Sequence, residues 1–227
     1  MARLLVACAK RYNGHELWTL LGVLQKRGHS FEVVSQEKLI RDELTLRPNI
    51  LDRTLYEVSP EETNAFDAML VVSGNMDDTE AYWTDTHMVQ LLQAFKEAGK
   101  VLGAICCSVP TLGPVAKDVH VSYFPLVRSK HRLLRFGAIL ETVSVTVDAE
   151  AKTVTAENQM MTEIWGHEIS NMLEGLPPTI TFQASNFTPK GSHRLLDKET
   201  QTMIDDARVA KGLPLTPSAP DGRRYKD

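Results

Sequence analysis

The chain has 227 residues, 43% hydrophobic and 24% charged, with a formal net charge of -4. That is the composition of a globular protein long enough to bury a core without staples, and it offers no basic stripe for a dedicated nucleic-acid binder. The three cysteines, two of them adjacent at Cys106 and Cys107, read as reduced thiols. The N-terminal apolar run of about seven residues is too short for a signal peptide or a membrane span, so a cytoplasmic protein with no membrane partner is expected.

Residues 3–9 form an apolar run without periodicity, as a strand covered on both faces should. Leu17, Leu20, Leu21 and Leu24 then mark an amphipathic helix ending at Gly28. A second strand is predicted over 30–35, and a long polar connection over 36–66. The third strand, 67–74, stops at Gly74. Thr84 or Asp85 is placed to cap a helix carrying Met88, Leu91, Leu92 and Phe95. A fourth strand, 100–105, runs straight into CCSVPTLGPVA.

Strands alternating with helices predict parallel βαβ units and a doubly wound sheet. Beyond the elbow, VHVSY, FGAILE and TVSVTVD read as short strands of a small antiparallel excursion, followed by KTVTA. The basic cluster Arg128, Lys130, His131, Arg132 and Arg135 reads as a solvated loop or an anion contact. Trp165, Ile169, Met172 and Leu173 define a closing helix. The domain is placed at 1–176. Residues 177–227 read as an extension, with a polar helix from Asp197 to Lys211 and a Pro-rich tail.

Cys106 closes a strongly apolar strand where a helix is predicted to begin. Open α/β sheets place their sites at that end of the strands. Unpaired N–H groups at a helix start favour a thiolate, which is the physics of a nucleophile elbow. The spacing alone leaves two readings open, a nucleophile or a small buried residue. No Gly-rich phosphate loop and no convincing metal-ligand spacing occurs.

The stretches LQKRGHSFEVVS, FDAMLVVSGN, GKVLGAICCSVPTLGPVA and KTVTAEN resemble the ThiJ/PfpI family, within the class I glutamine amidotransferase-like superfamily. The likeness covers about residues 3–175. It implies a flavodoxin-like α/β sandwich, a homodimer, and no cofactor. It assigns the nucleophile to Cys106, a proton-handling carboxyl to Glu16, and oxyanion donors to the N–H groups of Gly74 and Cys107. The family's histidines are missing: Cys107 follows the nucleophile, and Phe124 stands where other members carry a histidine before proline. Ser73 replaces the first glycine of the family's Gly-Gly pair.

His15 and His120 are the candidate auxiliary histidines, and Ser73, Tyr123 and Phe124 the candidate pocket residues. Cys8 reads as inert core. The leading expectation is a cofactor-free lyase or hydrolase whose Cys106 adds to a small electrophile. The family suggests a 2-oxoaldehyde, glycated adduct, amide or isonitrile. The alternatives are a stress-response chaperone or redox sensor using Cys106 oxidation, an intracellular cysteine peptidase, and a noncatalytic interaction module. The absent histidines weigh against the peptidase.

Overall fold

A computed structural model describes residues 1–180; the expected polar helix from Asp197 and the tail lie outside the described residues. In chain order the elements are β1 (Arg3–Cys8), β2 (Arg11–Tyr12), α1 (Gly14–Lys26), β3 (Ser30–Val34), β4 (Leu39–Asp42) and β5 (Pro48–Ile50). They continue as β6 (Ala68–Val72), α2 (Met76–Thr84), α3 (Thr86–Glu97), β7 (Val101–Ile105) and β8 (His120–Val121). The last are α4 (Val127–Arg135), β9 (Ile139–Leu140), β10 (Val145–Asp148), β11 (Thr153–Ala156) and α5 (Thr162–Glu174).

The main sheet runs β10-β11-β7-β6-β1-β3, parallel throughout except for the edge pair β10–β11. The order turns around at β1, with β3 on one side and β6 on the other, so a crevice opens at the carboxyl ends of the central strands. Both faces are buried, which is why the strand sequences are continuously apolar. On one face Leu5, Ala7, Met69, Val71, Leu102 and Ala104 meet Met88, Leu92 and Phe95 of α3. On the other, Leu4, Val6, Leu70 and Ile105 meet Leu17, Leu20 and Leu24 of α1 and Trp165 and Ile169 of α5. The sheet is therefore a two-sided sandwich, as expected.

The departures are local. The 36–66 connection is partly ordered: β4 and β5 join β2 in a three-stranded sheet, and two 3-10 turns follow, Leu55–Glu57 and Pro60–Ala65. Helix α2 lies ahead of the expected helix, and Asp85 caps α3 by accepting the Met88 N–H at 2.9 Å. The excursion is smaller than expected, since β8 and β9 pair in parallel as a separate two-stranded ribbon and only β10 is antiparallel.

The basic cluster is a helix, α4, rather than a loop. Arg128 pairs with Glu80 at 2.5 Å, and Arg132 donates to the Pro110 and Trp83 carbonyls while lying over the Phe136 ring. The chain does not detach at 176: Thr179 and Ile180 donate backbone N–H groups to the buried Glu168 carboxylate at 3.0 Å each.

Candidate active site

Four residues converge at the carboxyl ends of β6 and β7, brought there by three segments of chain. Cys106, the first residue after β7, has φ +57, the left-handed region that residues with a Cβ avoid. The strain is held by its neighbours. The Ser108 hydroxyl accepts the Ile105 N–H at 3.1 Å and lies 2.7 Å from the Val71 carbonyl, tying the turn to β6. The Trp83 indole donates to the Cys107 carbonyl at 3.1 Å. The run Cys106–Val115 is a 3-10 helix rather than the α-helix expected. Pro110 and Pro114 remove N–H donors and disfavour α geometry for the residues before them.

Glu16 stands in the first turn of α1. The Asn13 side chain caps that helix by accepting the Glu16 N–H at 3.2 Å, and the Asn13 N–H donates to the Ser73 carbonyl at 2.9 Å. The start of α1 is thereby clamped to the end of β6. The Glu16 carboxyl is fully buried; its Oε2 accepts from the Ser73 N–H at 2.9 Å and from the Ser73 hydroxyl at 2.7 Å. Its Oε1 is buried with no hydrogen-bond partner. Burial first, and the neighbouring Cys106 second, push this carboxyl well above the usual range, against the opposing pull of Ser73.

The thiols titrate as a pair. The sulfurs of Cys106 and Cys107 are 3.7 Å apart, close enough to share one proton. The hydrogen bond to Cys107, then burial, pushes Cys106 up; that same hydrogen bond, helped by Arg128, brings Cys107 down. The anion expected on Cys106 from helix polarity is therefore drawn toward Cys107 instead. A 3-10 helix interrupted by two prolines offers little dipole, and the contact with the neighbouring sulfur holds the Cys106 proton in place. The Cys107 N–H and the Ser73 hydroxyl both favour an anion on Cys106, but they are outweighed.

Gly74 is required by close approach. A Cβ there would lie 2.0 Å from the Arg11 carbonyl oxygen, because Tyr12 of β2 bridges to Gly74. Its N–H, expected as an oxyanion donor, donates to the Thr79 hydroxyl at 3.1 Å. His15 is solvent-exposed, and the His120 Nδ1 lies 2.6 Å from Glu141 Oε1 on the β8–β9 ribbon. Tyr123 packs against the core on the α3 side, and Phe124 is half-buried in the loop before α4. Trp165 is core, its indole donating to the Val154 carbonyl at 2.9 Å. Cys8 is sealed in β1, its thiol pushed up to about 12 by burial.

Thr79 has no signal in the sequence, Arg128 stands there only within a basic cluster, and Ser73 is a candidate pocket residue with nothing to tie it to Glu16. Only the residue type at 73, a hydroxyl in place of a glycine, was a visible signal. Among the described residues no group of three metal-ligating side chains converges, and no helix is long and apolar enough to cross a membrane. A cleft of about 480 Å³, lined in part by His29, Asp67, Lys100, Lys152 and Glu174, opens at the amino ends of the strands, the opposite end of the sheet from Cys106.

Fold and site together define a flavodoxin-like α/β sandwich with a cysteine on a strained strand-to-helix elbow beside a buried carboxyl. The chain belongs to the DJ-1/PfpI family, whose sequence model matches residues 2–170. An uncharacterized protein of Methanocaldococcus jannaschii is 26% identical over 178 residues, covering 75% of this chain and 82% of that one. A ThiJ/PfpI domain protein from Brachyspira murdochii superposes with a TM-score of 0.67 at 17% identity, covering 77% of this chain and 98% of its own. Drosophila melanogaster DJ-1beta gives 0.62 at 17% identity, covering 77% and 92%. At these identities the two solved structures show the shared fold.

Proposed function

We propose that the protein is a cysteine-dependent lyase or hydrolase in which Cys106 adds to an electrophilic carbon of a small molecule. The observation that carries this reading is the buried Glu16 carboxyl, joined to Ser73 by two hydrogen bonds beside the Cys106 thiol. A carboxyl raised by burial is a competent base for a thiol near neutral pH. With Glu16 ionised, the Ser73 hydroxyl gives its proton to the carboxylate and takes the Cys106 proton in its place, leaving sulfur with the electron pair that attacks the carbonyl carbon. The carbonyl π electrons move to oxygen, and the resulting alkoxide forms next to the Cys107 N–H, which already faces the sulfur. Glu16 returns the proton to that oxygen, completing a neutral hemithioacetal. The Gly74 N–H joins as a second donor once it leaves the Thr79 hydroxyl.

The substrate class in this reading is a 2-oxoaldehyde, a glycated adduct, a small amide or an isonitrile. Steady-state turnover of methylglyoxal, a glycated amine, a simple amide and an isonitrile tests it, with Cys106→Ala as control. Turnover of one of the four, abolished in the alanine variant, is the expected result. Equal turnover by both proteins contradicts the reading.

A further inference from the structure

Cys106 and Cys107 are neighbours in sequence, and in an extended strand their side chains would point to opposite faces. The left-handed backbone at Cys106 cancels that alternation and turns both sulfurs to one side, 3.7 Å apart. That is van der Waals contact for two sulfurs, close to the separation at which bonds form once one partner becomes electrophilic. Cys106 is half-buried and within reach of a small oxidant, whereas Cys107 keeps 6% of its surface and Cys8 none. The electrophile chemistry proposed above gives Cys107 no role beyond its N–H, so its thiol is a nucleophilic group left unassigned.

We propose that Cys106 and Cys107 form a reversible peroxide-sensing site that closes a disulfide between adjacent residues and so masks the Cys106 nucleophile. In the first step the thiolate attacks one peroxide oxygen; a sulfur–oxygen bond forms, the oxygen–oxygen bond breaks, and hydroxide leaves. In the second, the neighbouring thiol attacks the sulfenic sulfur; the sulfur–sulfur bond forms, and the oxygen leaves as water with the thiol's proton. Hydrogen peroxide is reduced and two thiols are oxidised. The product is the same whichever sulfur is oxidised first.

One feature favours closure and a second favours release. The two sulfurs lie in contact, and the hydrogen bond between them draws Cys107 toward its anion while it holds the proton on Cys106. Arg128 supports that anion from the helix packed beside it, while Glu16 and Glu43 oppose it. The bond is also easily reopened. Adjacent Cα atoms are about 3.8 Å apart, short of the roughly 4.4–6.8 Å of an ordinary disulfide, so the closed ring is strained and readily reduced by small thiols.

The test treats the full chain with a small excess of hydrogen peroxide, at least two equivalents per chain, blocks remaining thiols with iodoacetamide, and maps the tryptic peptide 101–117, which holds both cysteines. The expected product is that peptide two hydrogens lighter, unalkylated at both positions, and returned to the dithiol by dithiothreitol. Cys107→Ser is expected to collect a two-oxygen adduct on Cys106 that dithiothreitol does not reverse. The proposal is overturned if the wild-type peptide carries that two-oxygen adduct instead, or if the new disulfide joins two chains. The wild-type arm decides even if the serine variant fails to fold. Because the readout is mass rather than turnover, it stands or falls separately from the substrate assay.

Discussion

Replacing Glu16 by glutamine probes the least ordinary group in the molecule. The carboxyl is fully buried, and its folded-state pKa lies well above that of an exposed glutamate. Below the ordinary carboxyl value, folded and unfolded chains both hold the proton, and the stabilising contribution of the neutral acid is fully present. As pH rises between the ordinary and the raised value, the unfolded chain releases its proton while the folded chain keeps it. Stability then falls by about 1.4 kcal/mol per pH unit. Above the raised value both states are ionised and the loss is complete. Glutamine keeps an acceptor for Ser73 and never ionises.

The difference in urea-unfolding free energy, wild type minus Glu16→Gln, should therefore decline as pH rises above the ordinary carboxyl value. Contributions from other titrating groups cancel in that difference. A difference that stays flat, or rises, as pH climbs refutes the assignment of Glu16 as a carboxyl whose pKa is raised by its surroundings.

Ser73→Ala leaves Glu16 Oε2 with only the Ser73 N–H. It should cost about 1–3 kcal/mol in urea unfolding and slow alkylation of Cys106, whereas unchanged values for both would remove Ser73 from the proton path. Gly74→Ala places a methyl 2.0 Å from the Arg11 carbonyl oxygen. Because that contact is backbone on backbone, unfolding should become easier by at least about 1–3 kcal/mol; a neutral result would mean that β2 does not press on β6 there.

The sandwich was readable because its signals are local. Strand runs such as AMLVV and VLGAI are apolar throughout, and the leucines of α1 recur at helical spacing. Helix α2 escaped because its buried face is Asp78, Thr79, Tyr82 and Trp83, which no apolar stripe announces. Strands β8 and β9 have two residues each, too few for alternation to show. The elbow could be located from the strand end, but its 3-10 form followed from two prolines whose cumulative effect was not weighed.

At the site, Cys106 is a candidate from the strand end alone, and family likeness is what singles out Glu16. The Ser73–Glu16 contact, which spans 57 residues, leaves no trace in local spacing. The charge balance of the two thiols was misjudged because helix polarity was considered without the neighbouring sulfur.

The central claim is that the Cys106 sulfur is a nucleophile served by Glu16, and timed alkylation of the folded protein tests it most directly. With limiting iodoacetamide and peptide mapping near neutral pH, Cys106 should be modified before Cys8, and more slowly in Glu16→Gln than in wild type. Labelling of Cys106 that is absent until urea unfolds the chain, or that proceeds at the same rate without the carboxyl, would contradict it.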